Sequence, residues 1–108
     1  MSLAKSDVVT KIVTICLKVQ RDMEVEEQDI NPDTKPLVDL MEFDSLVSVS
    51  ATVDLITYYN LPEKDIKASL FLDKDNHPLS ISEIAEKIIE IASKQWIRMN
   101  WGKLLHHD

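Results

Sequence analysis

The chain has 108 residues, enough for one compact domain, and 44% of them are apolar and 29% charged, the balance of an ordinary globular protein rather than a disordered or membrane-embedded one. Twelve Lys and Arg against nineteen Asp and Glu give a net charge of -7, which disfavours a nonspecific grip on nucleic-acid phosphates and makes basic protein surfaces the better partners. One Gly and six aromatic residues argue against a turn-rich β-sandwich and for helices.

Residues 4–21 place Val8, Val9, Ile12, Val13, Cys16, Leu17 and Val19 close to the spacing of an amphipathic helix. Its many β-branched residues weaken intrinsic propensity, so packing must supply most of its stability. The solitary Cys16 excludes an internal disulfide and suits a reducing compartment. Apolar neighbours make it a structural thiol. Residues 23–41 lose the periodicity and read as a long acidic loop, pinned to the core by Ile30, Leu37, Val38 and Leu40. Its run of Glu24, Glu26, Glu27 and Asp29 is read as a solvated face that can supplement docking to basic partners. That length points to function rather than to a simple connector.

Asp44 is placed to cap a second helix, accepting from the backbone N–H of Leu46 or Val47, with Ser45 as the first helical residue. Leu46, Val49, Val53 and Ile56 are expected to form its buried stripe, with Leu46 pointing inward and Val49 mainly in the core. Val47, Ser48, Ser50, Thr52 and Thr57 are then expected outside, with Asp54 the one acid after Asp44. Asn60-Leu61-Pro62 ends this helix, and Pro62 opens a short third helix over residues 63–68. Residues 69–78 read as an exposed loop anchored by Leu70, Phe71 and Leu72. Ser80 and Glu83 make a capping box, with Leu79 and Ile84 as a hydrophobic staple, before a fourth helix that buries Ile81, Ile84, Ala85, Ile88, Ile91 and Ala92.

Asp73, Asp75 and His77 alternate in the loop but lack the fuller ligand set of a calcium site, and no role is assigned to His106 and His107. No Gly-x-Ser-x-Gly elbow surrounds Ser45, so a hydrolase is not indicated. Residues 1–90 hold 9 basic and 18 acidic side chains, net -9, whereas residues 91–108 hold Lys94, Arg98, Lys103 and Asp108, net +2, together with Trp96 and Trp101. This tail admits three readings: an extension of the fourth helix that packs Trp96 on the bundle, which is favoured, an amphipathic membrane or partner contact, or disorder. The first eight residues lack the continuous apolar stretch of a signal peptide and no run reaches transmembrane length, so a cytoplasmic location is expected, with no membrane partner.

Four helices with a long first connection, Asp44-Ser45-Leu46 at the opening of the second, Leu61-Pro62 before a short third and Ser80-Ile81-Ser82 at the last resemble an acyl carrier protein of the phosphopantetheine-binding family. The resemblance covers residues 4–92 and implies an all-α, acyl-carrier-like four-helix bundle over residues 1–92, followed by a basic, Trp-containing extension over residues 93–108. It implies that Ser45 receives 4'-phosphopantetheine from coenzyme A and that Asp44 and Leu46 flank the attachment site. Val47, Ser48 and Asp54 are the candidate partner contacts. Implied partners are a phosphopantetheinyl transferase, an acyl-loading ligase or acyltransferase and downstream acyl-processing enzymes, serving a monomeric carrier that is not itself an enzyme. Cargo and pathway, whether lipid or secondary-metabolite, are left open.

Three features depart from the family pattern. Glu42 stands where many members have Gly, so the backbone is expected to be shaped differently there. The exposed second-helix face is nearly neutral where fatty-acid carriers line it with carboxylates. The loop over residues 69–78 and the tail are longer than a minimal carrier's, which suggests a specialised member. The alternative is an unmodified carrier-like interaction module that binds a protein through the second helix and the tail.

Overall fold

The computed structural model describes residues 3–26, 28–66 and 69–105, with residue 65 and residues 101–105 by backbone alone. The chain is all-α: α1 (Lys5–Asp22), α2 (Pro36–Asp39), α3 (Ser45–Tyr59) and α4 (Ile81–Leu105), with a 3-10 turn at Glu63–Asp65 and no strands among the described residues. No described helix is long and apolar enough to cross a membrane.

α1 carries Asp7 in its first turn and Arg21 in its last, charges that complement the helix dipole. It buries Val8, Ile12, Ile15 and Cys16 against Leu55 of α3 and the α4 stripe of Ile81, Ile84, Ala85, Ile88 and Ile91 in one core cluster. Cys16 is a buried thiol, as its neighbours suggest, and burial pushes its pKa up to about 12. α1 ends through a left-handed Glu24, with the Val25 N–H donating to the Gln20 carbonyl at 3.1 Å.

The long loop contains one helical turn, α2, which the dissolved periodicity does not announce. Pro36 at its start and four residues in all make it too short to show a period. The loop is tied down by polar bonds. Gln20 is fully buried, its side-chain amide donating to Gln28 Oε1 at 3.2 Å, while Gln28 Oε1 accepts from the Met41 N–H at 2.7 Å and Gln28 Nε2 donates to the Asp39 carbonyl at 3.0 Å. One amide cluster thus fastens the end of α1 to the segment entering α3.

The same loop caps α4. The Ile81 and Ser82 N–H groups donate to the carbonyls of Thr34 and Pro32 at 2.9 and 2.8 Å. The predicted capping box is present: Glu83 Oε1 accepts from the Ser80 N–H at 2.9 Å and Ser80 Oγ from the Glu83 N–H at 3.1 Å. The Ser80 N–H, and after it the Ser80 hydroxyl, hold the Glu83 carboxyl below its ordinary pKa.

The expected third helix is only a 3-10 turn. Ile66 after it is extended (φ -120°, ψ 115°) and buried, and residues 67 and 68 of the expected helix lie outside the described residues. Beyond it Leu70 and Phe71 are fully buried, as their anchoring role requires, and Leu72 and Pro78 form an isolated antiparallel bridge that closes the polar loop. α4 runs without a break through residue 92, so the extension is a continuation of the same helix.

Candidate functional site

Ser45 is the first residue of α3 and is exposed. Asp44 is its N-cap: extended backbone, with Oδ1 accepting from the Val47 N–H at 2.9 Å. The Ser48 N–H donates to the Asp44 carbonyl at 2.9 Å, the first full helical bond. The N–H groups of Ser45 and Leu46 precede that bond, so they and the helix dipole favour an anion at this end.

The approach to the cap is held by backbone and aromatic contacts. Glu42 has φ 62°, the left-handed conformation glycine adopts most easily, so the absence of Gly does not abolish the turn; it places a Cβ in it. Phe43 is buried, its ring 5.1 Å from that of Phe71.

α3 faces the core by a side that hydropathy does not select. Leu46 is 79% exposed and Val53 54%, and Val49 is exposed too, so three of the four residues of the expected buried stripe lie outside. Leu46 does not point inward and Val49 is not core. The buried residues are Ser48, Ala51, Thr52 and Leu55, with Val47 and Ile56 half-buried against the core. Ser48, 1% exposed, is therefore a framework residue and not the accessible contact expected of it, and Val47 is less available than Val49. Asp54 is exposed, as the partner-contact reading requires.

The physical reason is the turn over residues 69–71. Its backbone N–H groups are buried and need acceptors. The Leu70 N–H donates to Thr52 Oγ1 at 3.0 Å and the Phe71 N–H to Ser69 Oγ at 3.0 Å. Ser69 Oγ donates to Ser48 Oγ at 3.2 Å, Thr52 Oγ1 donates to the Ser48 carbonyl at 2.7 Å, and Ser48 Oγ donates to the Ser45 carbonyl at 2.8 Å. A chain of hydroxyls thus connects the turn to the backbone of Ser45. Thr52 and Ser69 were not candidates in the sequence; for Thr52 the signal is the Ser48, Ala51, Thr52, Leu55 spacing, a helical stripe of small residues ending in Leu, and no such spacing marks Ser69.

Lys87, half-buried, donates to the Leu72 carbonyl at 2.9 Å, and desolvation lowers its pKa. Asp73, Asp75 and His77 bring their ligand atoms within 4.8 Å of one another. Asp73 Oδ1, however, accepts from the N–H groups of Asp75 and His77 at 2.8 and 2.9 Å, and these bonds close the loop and lower the Asp73 pKa, the His77 N–H most. His106 and His107 lie outside the described residues.

Compared with known proteins, the chain matches no family model, no curated protein and no solved structure.

Proposed function

We propose that the protein is a carrier in which Ser45 bears a 4'-phosphopantetheine arm, on an acyl-carrier-like four-helix bundle. The observation that carries this reading is an exposed serine at the first position of a capped helix, in the sequence Asp44-Ser45-Leu46, with the long tethered loop before it and the capping-box helix after it.

The residues fit the group. An exposed primary hydroxyl is open to modification, and the phosphodiester formed on it would lie beside the N–H groups of Ser45 and Leu46 at the positive end of α3. When bound, the arm supplies a thiol that holds acyl or aminoacyl groups as thioesters. The chain's own part is presentation. Asp44 fixes the first turn, Glu42 and Phe43 set the approach, and the Ser48 hydroxyl holds the Ser45 carbonyl. Tethering raises the effective concentration of the cargo at each partner enzyme. The partners are then a phosphopantetheinyl transferase, a loading ligase or acyltransferase and downstream acyl-processing enzymes, in a cytoplasmic setting that the buried, unpaired thiol of Cys16 suits.

A second reading has its own support. Leu46, Val49 and Val53 are exposed along one side of α3, a surface for an unmodified interaction module. Intact mass after incubation with a broad-specificity phosphopantetheinyl transferase, magnesium and coenzyme A separates the two. A single added arm on the wild type and none on Ser45→Ala supports the carrier. No increment with several transferases overturns it and leaves the interaction module.

A further inference from the structure

The Ser45 carbonyl can only accept, and that fixes the sense of every bond leading to it. Ser48 Oγ gives its one proton to this carbonyl at 2.8 Å, so towards Ser69 it accepts, at 3.2 Å, and Ser69 Oγ in turn accepts the Phe71 N–H at 3.0 Å. Three donors therefore point one way, from the backbone of the turn to the backbone of Ser45. Thr52 stands beside this chain rather than in it: its proton goes to the Ser48 carbonyl at 2.7 Å and its oxygen takes the Leu70 N–H at 3.0 Å.

The hydroxyl chain is dry and its far end is anchored. Ser48 and Ser69 are buried and Phe71 fully so, which leaves the bonds free to polarise one another without screening by water. Lys87 of α4 holds the backbone of the turn, its Nζ donating to the Leu72 carbonyl at 2.9 Å and to the Ser69 carbonyl at 3.5 Å. The Phe71 ring packs on Phe43, the residue before the Asp44 cap.

The receiving end lies in the site. The Ser45 carbonyl and the Leu46 N–H are the two ends of one planar peptide unit. A donor on the oxygen draws electron density from the nitrogen and makes the Leu46 N–H the stronger donor. That N–H belongs to the first turn of α3, ahead of the bond from the Ser48 N–H to the Asp44 carbonyl. Of its neighbours in that turn, the Val47 N–H is taken by Asp44 Oδ1. Leu46 thus offers its N–H to an anion at the positive end of the helix, on a peptide that the buried chain both fixes and polarises.

We propose that Ser48 and Ser69 are positioning residues for Ser45: through the Ser45 carbonyl they hold and strengthen the Leu46 N–H as the donor to the phosphate attached there. The role in transfer rests on the carrier reading. In the transfer, Ser45 Oγ forms a bond to the phosphorus of the pantetheine phosphate of coenzyme A. The bond from that phosphorus to the adenosine bisphosphate breaks with its electron pair, and the hydroxyl proton goes to a base of the transferase. The Leu46 N–H acts on the charge of the phosphoryl oxygens during that exchange, so its strength is read in kcat more than in KM.

Nuclear magnetic resonance of the full chain, before any transferase is added, tests the device directly. Ser69→Ala and Ser48→Ala each break the chain, and each is expected to move the Leu46 amide nitrogen and the Ser45 carbonyl carbon upfield. The double variant is expected to add little, because both changes cut one path. Thr52→Val strands the Leu70 N–H as Ser69→Ala strands that of Phe71, so it serves as the control of matched stability and is expected to leave both resonances in place. With a phosphopantetheinyl transferase, magnesium and coenzyme A, Ser69→Ala is expected to lower kcat by about two- to fivefold with KM for the protein little changed. Unmoved resonances in Ser69→Ala overturn the proposal, as does an equal movement in Thr52→Val. An arm added to Ser69→Ala at the wild-type kcat overturns the positioning role while leaving the carrier reading standing. A wild type that takes no arm overturns the carrier reading and the role in transfer with it, and the resonances, measured on the unmodified chain, separate that failure from a failure of the device.

Discussion

Thr52 and Val53 are adjacent on α3 and carry opposite expectations, and their replacement tests which side of the helix is the core. Thr52 is 3% exposed, and its Oγ1 accepts the buried Leu70 N–H at 3.0 Å while donating to the Ser48 carbonyl at 2.7 Å. Thr52→Val keeps the shape but leaves the Leu70 N–H without an acceptor, a loss of about 2 kcal/mol within a range of roughly 1–3. That lowers the melting temperature by about 10 °C in a domain of this size. Val53→Ser removes a methyl surface that is already more than half in water, and is expected to change stability by no more than about 0.5 kcal/mol. Urea denaturation followed by far-UV circular dichroism measures both. Hydropathy alone predicts the reverse, with Thr52→Val neutral or stabilising and Val53→Ser costing about 2 kcal/mol as a core truncation. Observation of that order would refute the hydroxyl network as the device that sets the face of α3.

Glu42→Gly relieves a left-handed residue of its Cβ penalty, about 1–2 kcal/mol, and adds back about 0.5–1 kcal/mol of unfolded-chain entropy, so a net gain of about 0.5–1 kcal/mol is expected in the same urea assay. Glu42→Val, β-branched at positive φ, should lose stability, and a stable Val variant would argue against the turn. With its pKa raised to about 12, the native Cys16 thiol should resist alkylation at mildly alkaline pH and react only after denaturation; rapid native labelling would contradict its burial. The Glu83 carboxyl is held below the ordinary glutamate value of 4.5, chiefly by the Ser80 N–H. Its contribution is therefore fully present above that value and is lost as pH falls through the lower folded-state pKa. Glu83→Gln should flatten this part of the stability profile below neutrality, and an unchanged acid limb would show that the capping box is not titrating there.

Local chemistry was legible in the sequence wherever it was complete within a few residues. The Asp44 cap, the Ser80 and Glu83 box and the amphipathic face of α1 each need only partners three or four positions away, so spacing alone declares them. α3 is different because apolar residues occur at 46, 47, 49, 51, 53, 55 and 56 and ring the helix, leaving periodicity without a unique answer. The choice is made from outside the helix, by the buried groups of the turn: the Leu70 N–H, 18 residues beyond Thr52, donates to its hydroxyl, and Ser69 Oγ, which accepts the Phe71 N–H, donates to Ser48 Oγ. Small hydroxyl residues satisfy them at close range, where Leu46, Val49 and Val53 could not. α2 was missed for the opposite reason, since four residues are too few to show a period. The same competition bears on the candidate site. By drawing Ser48 and Thr52 inward, the turn over residues 69–71 turns the apolar side chains of α3 outward beside Ser45. A partner that reaches this serine therefore meets Leu46 and Val49 first and Asp54 only further along the helix, so its approach should depend less on salt than that of a partner steered by carboxylates.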